Sequence, residues 1–307
     1  MKSLKEYIEE GLLDRVKNKE VSHDALIKDF LETNYVISGS YDIKVTKNGS
    51  VVDVKGDAIV KNNDIVSLTN EFFKFGKVSR KFDCDDCKSL QSLKGAPEKV
   101  GRDFNCSFCG SLISLEGAPK EVGKDFNCSY CGSLKSLDGA PKEVGGDFCC
   151  SFCGSLKSLE YAPEKVGTDF YCNGCKSLKT LEGAPKEVGG SFWCDGCDSL
   201  RILKGTPEKV DGSFWCHDCK SLKSLEGAPR EIYWSFNCYN CESLKTLEGA
   251  PERVDGNFNC AKCKSLKTLK GAPKEVGENF NCRSCGIEFT EDDVKKYTKV
   301  AGFIQVI

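Results

Sequence analysis

A motif of the form Cys-x-x-Cys-x-Ser-Leu-x-(Ser/Thr)-Leu, or a close variant of it, occurs ten times in this sequence at intervals of 22 residues. The first cysteines are Cys84, Cys106, Cys128, Cys150, Cys172, Cys194, Cys216, Cys238, Cys260 and Cys282, and a second cysteine follows each of them three residues later. A fixed period of this length is typical of stacked repeats, in which each unit buries its apolar face against its neighbours. The period therefore predicts one elongated body for the 307 residues.

The composition limits which cellular compartment and which classes of partner are expected. The net charge of −2 gives no overall attraction to nucleic acid or to an anionic membrane, and no apolar run is long enough for a membrane span. The first residues lack the apolar core of a secretory signal, which predicts a reducing cytoplasm. The count of 21 cysteines is odd, Cys149 being the extra one, so free thiols and metal ligands are the two interpretations of the pairs.

One repeat contains the pattern of a short strand followed by a turn. Phe104 and Cys106 alternate with the period of two expected of a strand with one buried face. Gly117-Ala118-Pro119 is a turn sequence that ends the following segment. No stretch inside the repeat is long enough for a stable helix, so each coil is predicted to be a strand, a turn and an extended return.

The spacing resembles that of the leucine-rich repeat, Leu-x-x-Leu-x-Leu-x-x-(Asn/Cys)-x-Leu. Phe104 and Cys106 fill the strand positions, Cys109 fills the Asn/Cys position, and Leu112 and Leu115 follow it. An earlier coil, residues 58–68, fits the asparagine form, with Val60 where the first cysteine stands elsewhere, so that position is an apolar core site.

The return Pro119-x-x-Val122 resembles the short repeats of bacterial and tailed-phage proteins of this family. The resemblance covers about residues 57–286. It implies a solenoid of about eleven coils with one parallel β-sheet and inward-facing cysteines, about 50 Å long at ~4.8 Å per coil.

A zinc-stabilised array is the alternative, because two Cys-x-x-Cys pairs also match the spacing of a four-cysteine zinc site. The phenylalanine and leucines of each unit argue against it, because a zinc ribbon needs no such apolar scaffold, so we expect no metal and no cofactor. Redox catalysis needs an exposed thiolate of low pKa rather than twenty equivalent buried thiols. Only His23 and His217 are present, and no catalytic triad is readable, so the chain is predicted not to be an enzyme.

Both ends of the repeat array carry sequences typical of caps. Residues 1–35 predict two short helices, the second with Ser22 as N-cap, and Asn48-Gly49 predicts a hairpin within residues 36–56. In residues 287–307, Thr290 and Asp293 resemble a capping box, and the apolar segment 303–307 is expected to cover the last coil.

Residues 1–10 resemble the capsid-targeting peptide on internal head proteins of T-even-type phages. The resemblance implies packaging into the phage head and cleavage after Glu10, with Ile8 as the second recognition residue and Gly11 as the new first residue. The alternative is the start of an ordinary amphipathic helix. If the resemblance holds, the cytoplasm is that of a bacterial host and the protein is internal cargo of a virion.

Positions that vary between repeats are candidates for function, because the invariant positions form the fold. The residue between each phenylalanine and the first cysteine points away from the core, and it is aromatic in three successive coils, as Tyr171, Trp193 and Trp215. A second column holds Phe108, Tyr130 and Phe152. All three tryptophans are expected to be exposed, and the asparagines that flank the first column are expected to stack their amides on one another.

We therefore predict a non-enzymatic, monomeric protein that binds another protein on its sheet face, with no nucleic-acid or membrane partner. The partner-binding residues are predicted to be Tyr171, Trp193, Trp215, Phe152, Tyr233, Trp234 and Tyr239. Large exposed aromatic surfaces are typical of interaction sites, whereas stacking that only stabilises the sheet is the competing interpretation.

Overall fold

The computed structural model describes residues 22–61, 63–70, 72–207 and 209–306. These residues form a solenoid of stacked coils with parallel sheets, as the 22-residue period predicts. Each cysteine coil contributes a two-residue strand to one sheet, turns through its cysteine pair, and returns through an extended leucine segment to a second two-residue strand. We number the cysteine coils 1 to 10 by their phenylalanines, from Phe82 to Phe280.

The first sheet has 13 strands and runs the length of the stack. Its register places phenylalanine on phenylalanine in neighbouring coils, for example Phe192 beside Phe214. Only its first strand is antiparallel, so the sheet holds one more parallel strand than the eleven predicted coils, because Ile304–Gln305 adds a twelfth. The strands are Tyr35–Ile37, Ala58–Val60, Phe82–Asp83, Phe104–Asn105, Phe126–Asn127, Phe148–Cys149, Phe170–Tyr171, Phe192–Trp193, Phe214–Trp215, Phe236–Asn237, Phe258–Asn259, Phe280–Asn281 and Ile304–Gln305.

The returns also form strands, so the prediction of one sheet was incomplete. A valine or isoleucine in each return is buried, and the backbone beside it pairs with the neighbouring coil, since buried N–H groups need partners. The nine-stranded second sheet contains Ser40–Thr46, Gly49–Lys55, Phe73–Val78, Lys99–Val100, Glu121–Val122, Glu143–Val144, Lys165–Val166, Glu187–Val188 and Lys209–Val210. The four-stranded third sheet contains Glu231–Ile232, Arg253–Val254, Glu275–Val276 and Lys299–Val300.

The second sheet gives way to the third where Tyr233 follows the return strand. In most coils this position is glycine, and a Cβ there would lie close to the preceding coil, for example 2.2 Å from the Ser79 carbonyl oxygen at Gly101. Asp211 and Asp255 replace this glycine in the adjacent coils and still donate to the preceding coil, at 3.2 Å to the Val188 oxygen and 2.9 Å to the Ile232 oxygen, so the loss of glycine alone does not account for the break at Tyr233. The first sheet remains continuous at the same level, through Phe214 and Phe236.

The core consists of one phenylalanine, two cysteines, two leucines and one valine or isoleucine from each coil, almost all fully buried. The second cysteine of a coil donates its thiol hydrogen to the carbonyl of the first cysteine one coil earlier, as from Cys175 Sγ to the Cys150 oxygen at 3.2 Å. Nine such bonds of 3.2–3.3 Å run through the stack. The inward orientation predicted for both cysteines is therefore confirmed, and each second thiol fills the core while satisfying a backbone carbonyl.

The N-terminal end of the described stack holds a helix and a hairpin. The helix α1 (His23–Asn34) begins at Ser22, whose Oγ accepts the Ala25 N–H at 3.1 Å. The hairpin of Ser40–Thr46 and Gly49–Lys55 forms at Asn48-Gly49, and its second strand pairs in parallel with Phe73–Val78. It thus begins the second sheet instead of lying over an open coil.

The C-terminal end also consists of a short helix and a segment that extends one of the sheets. The helix α2 (Glu291–Lys295) begins at Thr290 with the predicted capping box to Asp293. The segment that follows adds Ile304–Gln305 to the edge of the first sheet. The other helix predicted within residues 1–35, near the N-terminus, lies outside the described residues.

None of the helices described is both long enough and apolar enough to cross a membrane.

Candidate functional site

The outward surface of the first sheet, which we call the first-sheet face, is made of four columns of side chains. In each coil they stand one residue before the phenylalanine and one, three and four residues after it. Alternation along a strand directs the first three columns outward together. Two contacts confirm that they are neighbours, from Tyr171 Oη to Asp169 Oδ2 (2.7 Å) and from Ser107 Oγ to Asn105 Oδ1 (2.8 Å).

The predicted aromatic ladder of Tyr171, Trp193 and Trp215 occupies the centre of this face. The rings of Tyr171 and Trp193 stack at 5.8 Å, and those of Trp193 and Trp215 stack at 4.7 Å with an angle of 5° between their planes. All three residues are only partly exposed, so the expectation of full exposure was wrong for Trp193 and Trp215. The rings cover each other and leave mainly their edges toward solvent.

The indole nitrogens of Trp193 and Trp215 are buried without a hydrogen-bond partner among the described residues. A buried donor that lacks a partner costs about 1–3 kcal/mol. The ladder is therefore not optimised for stability alone.

Other coils carry asparagine at the ladder position, and these asparagines perform a backbone function. Asn127 Oδ1 accepts the N–H of Ser129 at 3.0 Å, and Asn237 Oδ1 accepts that of Tyr239 at 2.9 Å. The side-chain oxygens thus hold the turn after the strand, which is a different use from the amide stacking that we expected. A tyrosine or tryptophan at this position cannot supply that acceptor.

A second aromatic ladder, which we call the outer ladder, consists of Phe108, Tyr130 and Phe152 at one margin of the face. Its rings stack at 4.5 and 4.6 Å and are 48%, 45% and 43% exposed. All three residues have a left-handed backbone, with φ of 57°, 59° and 58°. The equivalent residue is left-handed in every other coil too, for example Asp218 at 58° and Lys262 at 58°, so the turn of the repeat imposes this conformation and bulky side chains adopt it here at some cost.

The sequence pointed to Phe152 as a partner-binding residue but not to Phe108 or Tyr130, although all three were visible as one column. The signal that could have found them is Gly174 and Gly196, which stand at the same position in the next two coils. Glycine there has φ of 68° and 64°, which marks the position as left-handed. The ring of Phe152 leans over Gly174, where a Cβ would lie 2.5 Å from it.

A polar network lies beside the tryptophans in coils 6 to 8. His217 Nδ1 lies 2.7 Å from Asp218 Oδ2, and its Nε2 lies 3.8 Å from Asp195 Oδ2. Asn240 Nδ2 donates to Asp218 Oδ1 at 2.6 Å, and the Trp215 ring meets the His217 ring edge-on at 6.2 Å. Asp195 Oδ1 is buried and has no partner among the described residues.

The two carboxyl groups of this network differ in acidity. Burial raises the pKa of the Asp195 carboxyl, with His217 opposing the rise. Burial also acts on the Asp218 carboxyl, but hydrogen bonds from Asn240 and His217 outweigh it and lower that pKa. The network offers charge and hydrogen-bonding capacity to a ligand, next to an aromatic surface.

The remaining predicted residues are not all in one place. Tyr239 lies on the first-sheet face in coil 8, where Lys262 Nζ sits 5.2 Å from the centre of its ring. Tyr233 and Trp234 follow the strand Glu231–Ile232 of the third sheet and lie at the corner before Ser235, where Trp234 is 66% exposed. Ile8 and Glu10, the predicted processing residues, lie outside the described residues.

The thiols of the cysteine pairs are embedded in the core. Burial raises the pKa of the Cys194 thiol well above its usual range and raises that of Cys219 to about 12. Raised values oppose the thiolate form that redox chemistry and metal ligation both require. Within the described residues, no cluster of three or more histidine, cysteine or acidic side chains is arranged to hold a metal ion.

Comparison with known proteins supplies no argument about function. No family model matches the sequence, and no curated protein matches it significantly. The crystal structure of a leucine-rich repeat protein from Bacteroides ovatus is similar over 87% of this chain and 99% of that chain, with 14% sequence identity and a TM-score of 0.28. The function must therefore be argued from the residues of this chain.

Proposed function

We propose that this protein is a non-enzymatic binding module that holds another protein on its first-sheet face. The observation that carries the proposal is the replacement of asparagine by Tyr171, Trp193 and Trp215 in three successive coils. Five other cysteine coils have asparagine at this position, so the aromatic residues are not needed to build a coil.

The energetics of the replacement support a role outside folding. Each replaced asparagine loses a hydrogen bond to the turn, worth about 0.5–1.5 kcal/mol. Each aromatic stack contributes about 0.5–1.5 kcal/mol beyond the apolar area that it buries, and each unpartnered indole N–H group offsets about 1–3 kcal/mol of that gain. A substitution that gives up a turn hydrogen bond and buries unpartnered donors while it adds aromatic surface is what a binding site requires, because a few rigid aromatic residues can supply most of an interface's affinity.

The form of the ladders favours a protein over a sugar. A sugar ring packs on the open face of an aromatic ring, whereas the rings of Trp193 and Trp215 cover each other at 4.7 Å. The outer ladder is closed in the same way, with Tyr130 between Phe108 and Phe152. The exposed ring edges and the polar columns between them suit an extended protein surface with mixed contacts. The leucine-rich-repeat resemblance of the sequence agrees with this class of function.

The test is affinity capture from cells that naturally produce the protein, with three forms of the bait. Wild-type protein is compared with Trp193→Asn/Trp215→Asn, which restores the asparagine of the other coils. The control is Lys142→Ala/Lys186→Ala, which changes two exposed residues on the opposite, second-sheet side. We expect a protein that the wild type and the control retain and that the tryptophan variant loses. Retention of the same proteins by all three baits would refute the proposal.

A further inference from the structure

A column of four aspartates forms the second margin of the first-sheet face. Asp103, Asp125, Asp147 and Asp169 stand immediately before the phenylalanines of coils 2 to 5. Parallel coils are about 4.8 Å apart, so these carboxylates form a line of like charge. Like charges at this spacing repel each other and destabilise the sheet. The column therefore calls for an explanation.

The structural task of this column does not need a charge. Asp125 Oδ1 accepts the N–H of Asp147 in the next coil at 2.9 Å, and Asp147 Oδ1 accepts that of Asp169 at 2.9 Å. In later coils serine does the same, for example Ser191 Oγ accepting the N–H of Ser213 at 3.0 Å. The serine coils show that a neutral oxygen is sufficient to join the coils. The four negative charges are therefore not required for the hydrogen bonds between coils.

These charges have little internal compensation: Lys81, at the same position in coil 1, interacts electrostatically with Asp103, but it forms its salt bridge with Asp83. Within the described residues, none of the four aspartates forms a salt bridge. Acidic residues on the second sheet differ, because they pair with lysines of neighbouring coils, as in Lys99–Glu121 at 2.6 Å and Lys165–Glu187 at 3.2 Å. Among the described residues, Glu121 and Glu187 on the second sheet are thus paired with lysines, whereas the four aspartates of the column are not.

The rest of the face has the same sign. In coils 2 to 7 its four columns hold six aspartates, the other two being Asp195 and Asp218, and no lysine or arginine. Asp195 Oδ1 is buried and unpartnered among the described residues. Aromatic rings attract cations as well, and Lys262 over the ring of Tyr239 is an example on this same face in coils 8 and 9.

We infer that the partner docks on the first-sheet face through an extended segment rich in lysine and arginine. This inference rests on the proposed function and specifies the chemistry of the partner. Long basic side chains place their charges against the aspartate column and Asp195, while their aliphatic stems cover the exposed edges of Phe108, Tyr130 and Phe152. Complementary charge also sets the orientation of such a segment and accelerates its encounter with the face.

The test uses full-length reduced protein and three fluorescein-labelled peptides of about 12 residues. At about 3.3 Å per residue such a peptide spans about eight coils. The peptides share a Gly-Ser frame and carry lysine, glutamate or glutamine at alternate positions. Anisotropy titrations at 50 and 300 mM salt measure affinity, and we expect the lysine peptide to bind tightest and to weaken as salt rises.

Two matched double variants distinguish an effect of charge on the first-sheet face from an effect of the protein's total charge. Asp125→Ser/Asp147→Ser keeps an oxygen for the inter-coil hydrogen bonds, and Glu121→Gln/Glu143→Gln makes the same charge change on the second sheet of the same coils. We expect the first double variant to bind the lysine peptide about five- to tenfold more weakly, and the second to change binding by less than about twofold. If the serine variant unfolds, Asp125→Asn/Asp147→Asn replaces it, because Asn257 Oδ1 accepts the same bond from Asn279.

Two results would overturn the inference: a lysine peptide that binds no better than the glutamate peptide, or equal weakening by both double variants. Failure here is distinguishable from failure of the proposed function. If the capture experiment still yields a partner that depends on Trp193 and Trp215, the face binds protein and only the basic chemistry is wrong. If no captured protein depends on these tryptophans, the proposed function itself fails.

Discussion

Phe192 and Trp193 are adjacent residues on opposite faces of one strand, and they provide the sharpest comparison of stability with binding. Phe192 is fully buried and stacks on Phe170 at 5.2 Å and on Phe214 at 5.3 Å. Replacing it with alanine removes both stacks and leaves a cavity, so we expect Phe192→Ala to lower the free energy of unfolding by about 3–5 kcal/mol.

The same strand tolerates a change at Trp193 much better. Trp193→Asn loses two stacks, with Tyr171 and Trp215, at about 0.5–1.5 kcal/mol each. It gains a hydrogen bond of about 0.5–1.5 kcal/mol to the turn and removes a buried donor without a partner, which costs about 1–3 kcal/mol. The gains offset the lost stacks and part of the lost apolar burial, which is smaller for the partly exposed Trp193 than for the fully buried Phe192, so we expect Trp193→Asn to lower the unfolding free energy by less than about 2 kcal/mol.

Urea unfolding of reduced protein, followed by circular dichroism, measures both variants, and hydrogen exchange of coils 5 to 7 locates the change within the stack. Exchange is needed because a long repeat array can open locally before it unfolds as a whole. The reasoning is refuted if Trp193→Asn destabilises coils 5 to 7 as much as Phe192→Ala does. The ladder would then be a structural element, and the argument for a binding face would lose its basis.

Four other predictions follow from the cysteines and the N-terminus. Cys175→Ala removes the thiol donor to the Cys150 carbonyl and leaves a small void, so we expect a loss of about 1–3 kcal/mol in urea unfolding, and an unchanged midpoint would contradict the thiol ladder. Burial raises the pKa of the Cys131 thiol from 9.0 to about 12, so the stability that this buried thiol contributes is complete below pH 9 and is lost as the pH rises toward 12. Between these pH values, each such thiol lowers the unfolding free energy by up to about 1.4 kcal/mol per pH unit. Melting curves with no decline above pH 9 would refute this. Elemental analysis of protein purified without chelator should find no zinc, whereas about one zinc per two repeats would establish the metal array. The intact mass of the protein from virions should show a chain that begins at Gly11. A chain that keeps residue 1 and is absent from virions would exclude packaging.

The repeating core was predictable from sequence because its residues recur with one chemistry at one spacing. Phe104, Cys106 and Cys109 were placed correctly, and so was the capping box at Thr290, since the determinants of both are local. The second sheet was missed because a return of two strand residues per coil has no visible alternation, and only stacking reveals that Val122 and Val144 pair.

The candidate site was less predictable for a different physical reason. Trp193 and Trp215 were located on the outer face by alternation, but their partial burial arises from stacking between coils, which one coil's sequence does not describe. The left-handed backbone of Phe108 and Tyr130 is set by the turn and could be read only from the glycines that replace them elsewhere. The charge of the aspartate column became informative only when Ser191 and Ser213 were seen to make the same hydrogen bond without it.

The most direct test of the binding face is photo-crosslinking from single positions in cells that produce the protein. p-Benzoylphenylalanine replaces Tyr130, a half-exposed ring in the outer ladder, or Glu143, an exposed residue on the second sheet. The account predicts a crosslinked protein partner from position 130 and none from position 143. A partner crosslinked only from position 143, or equally from both positions, would contradict the claim that the first-sheet face is the binding surface.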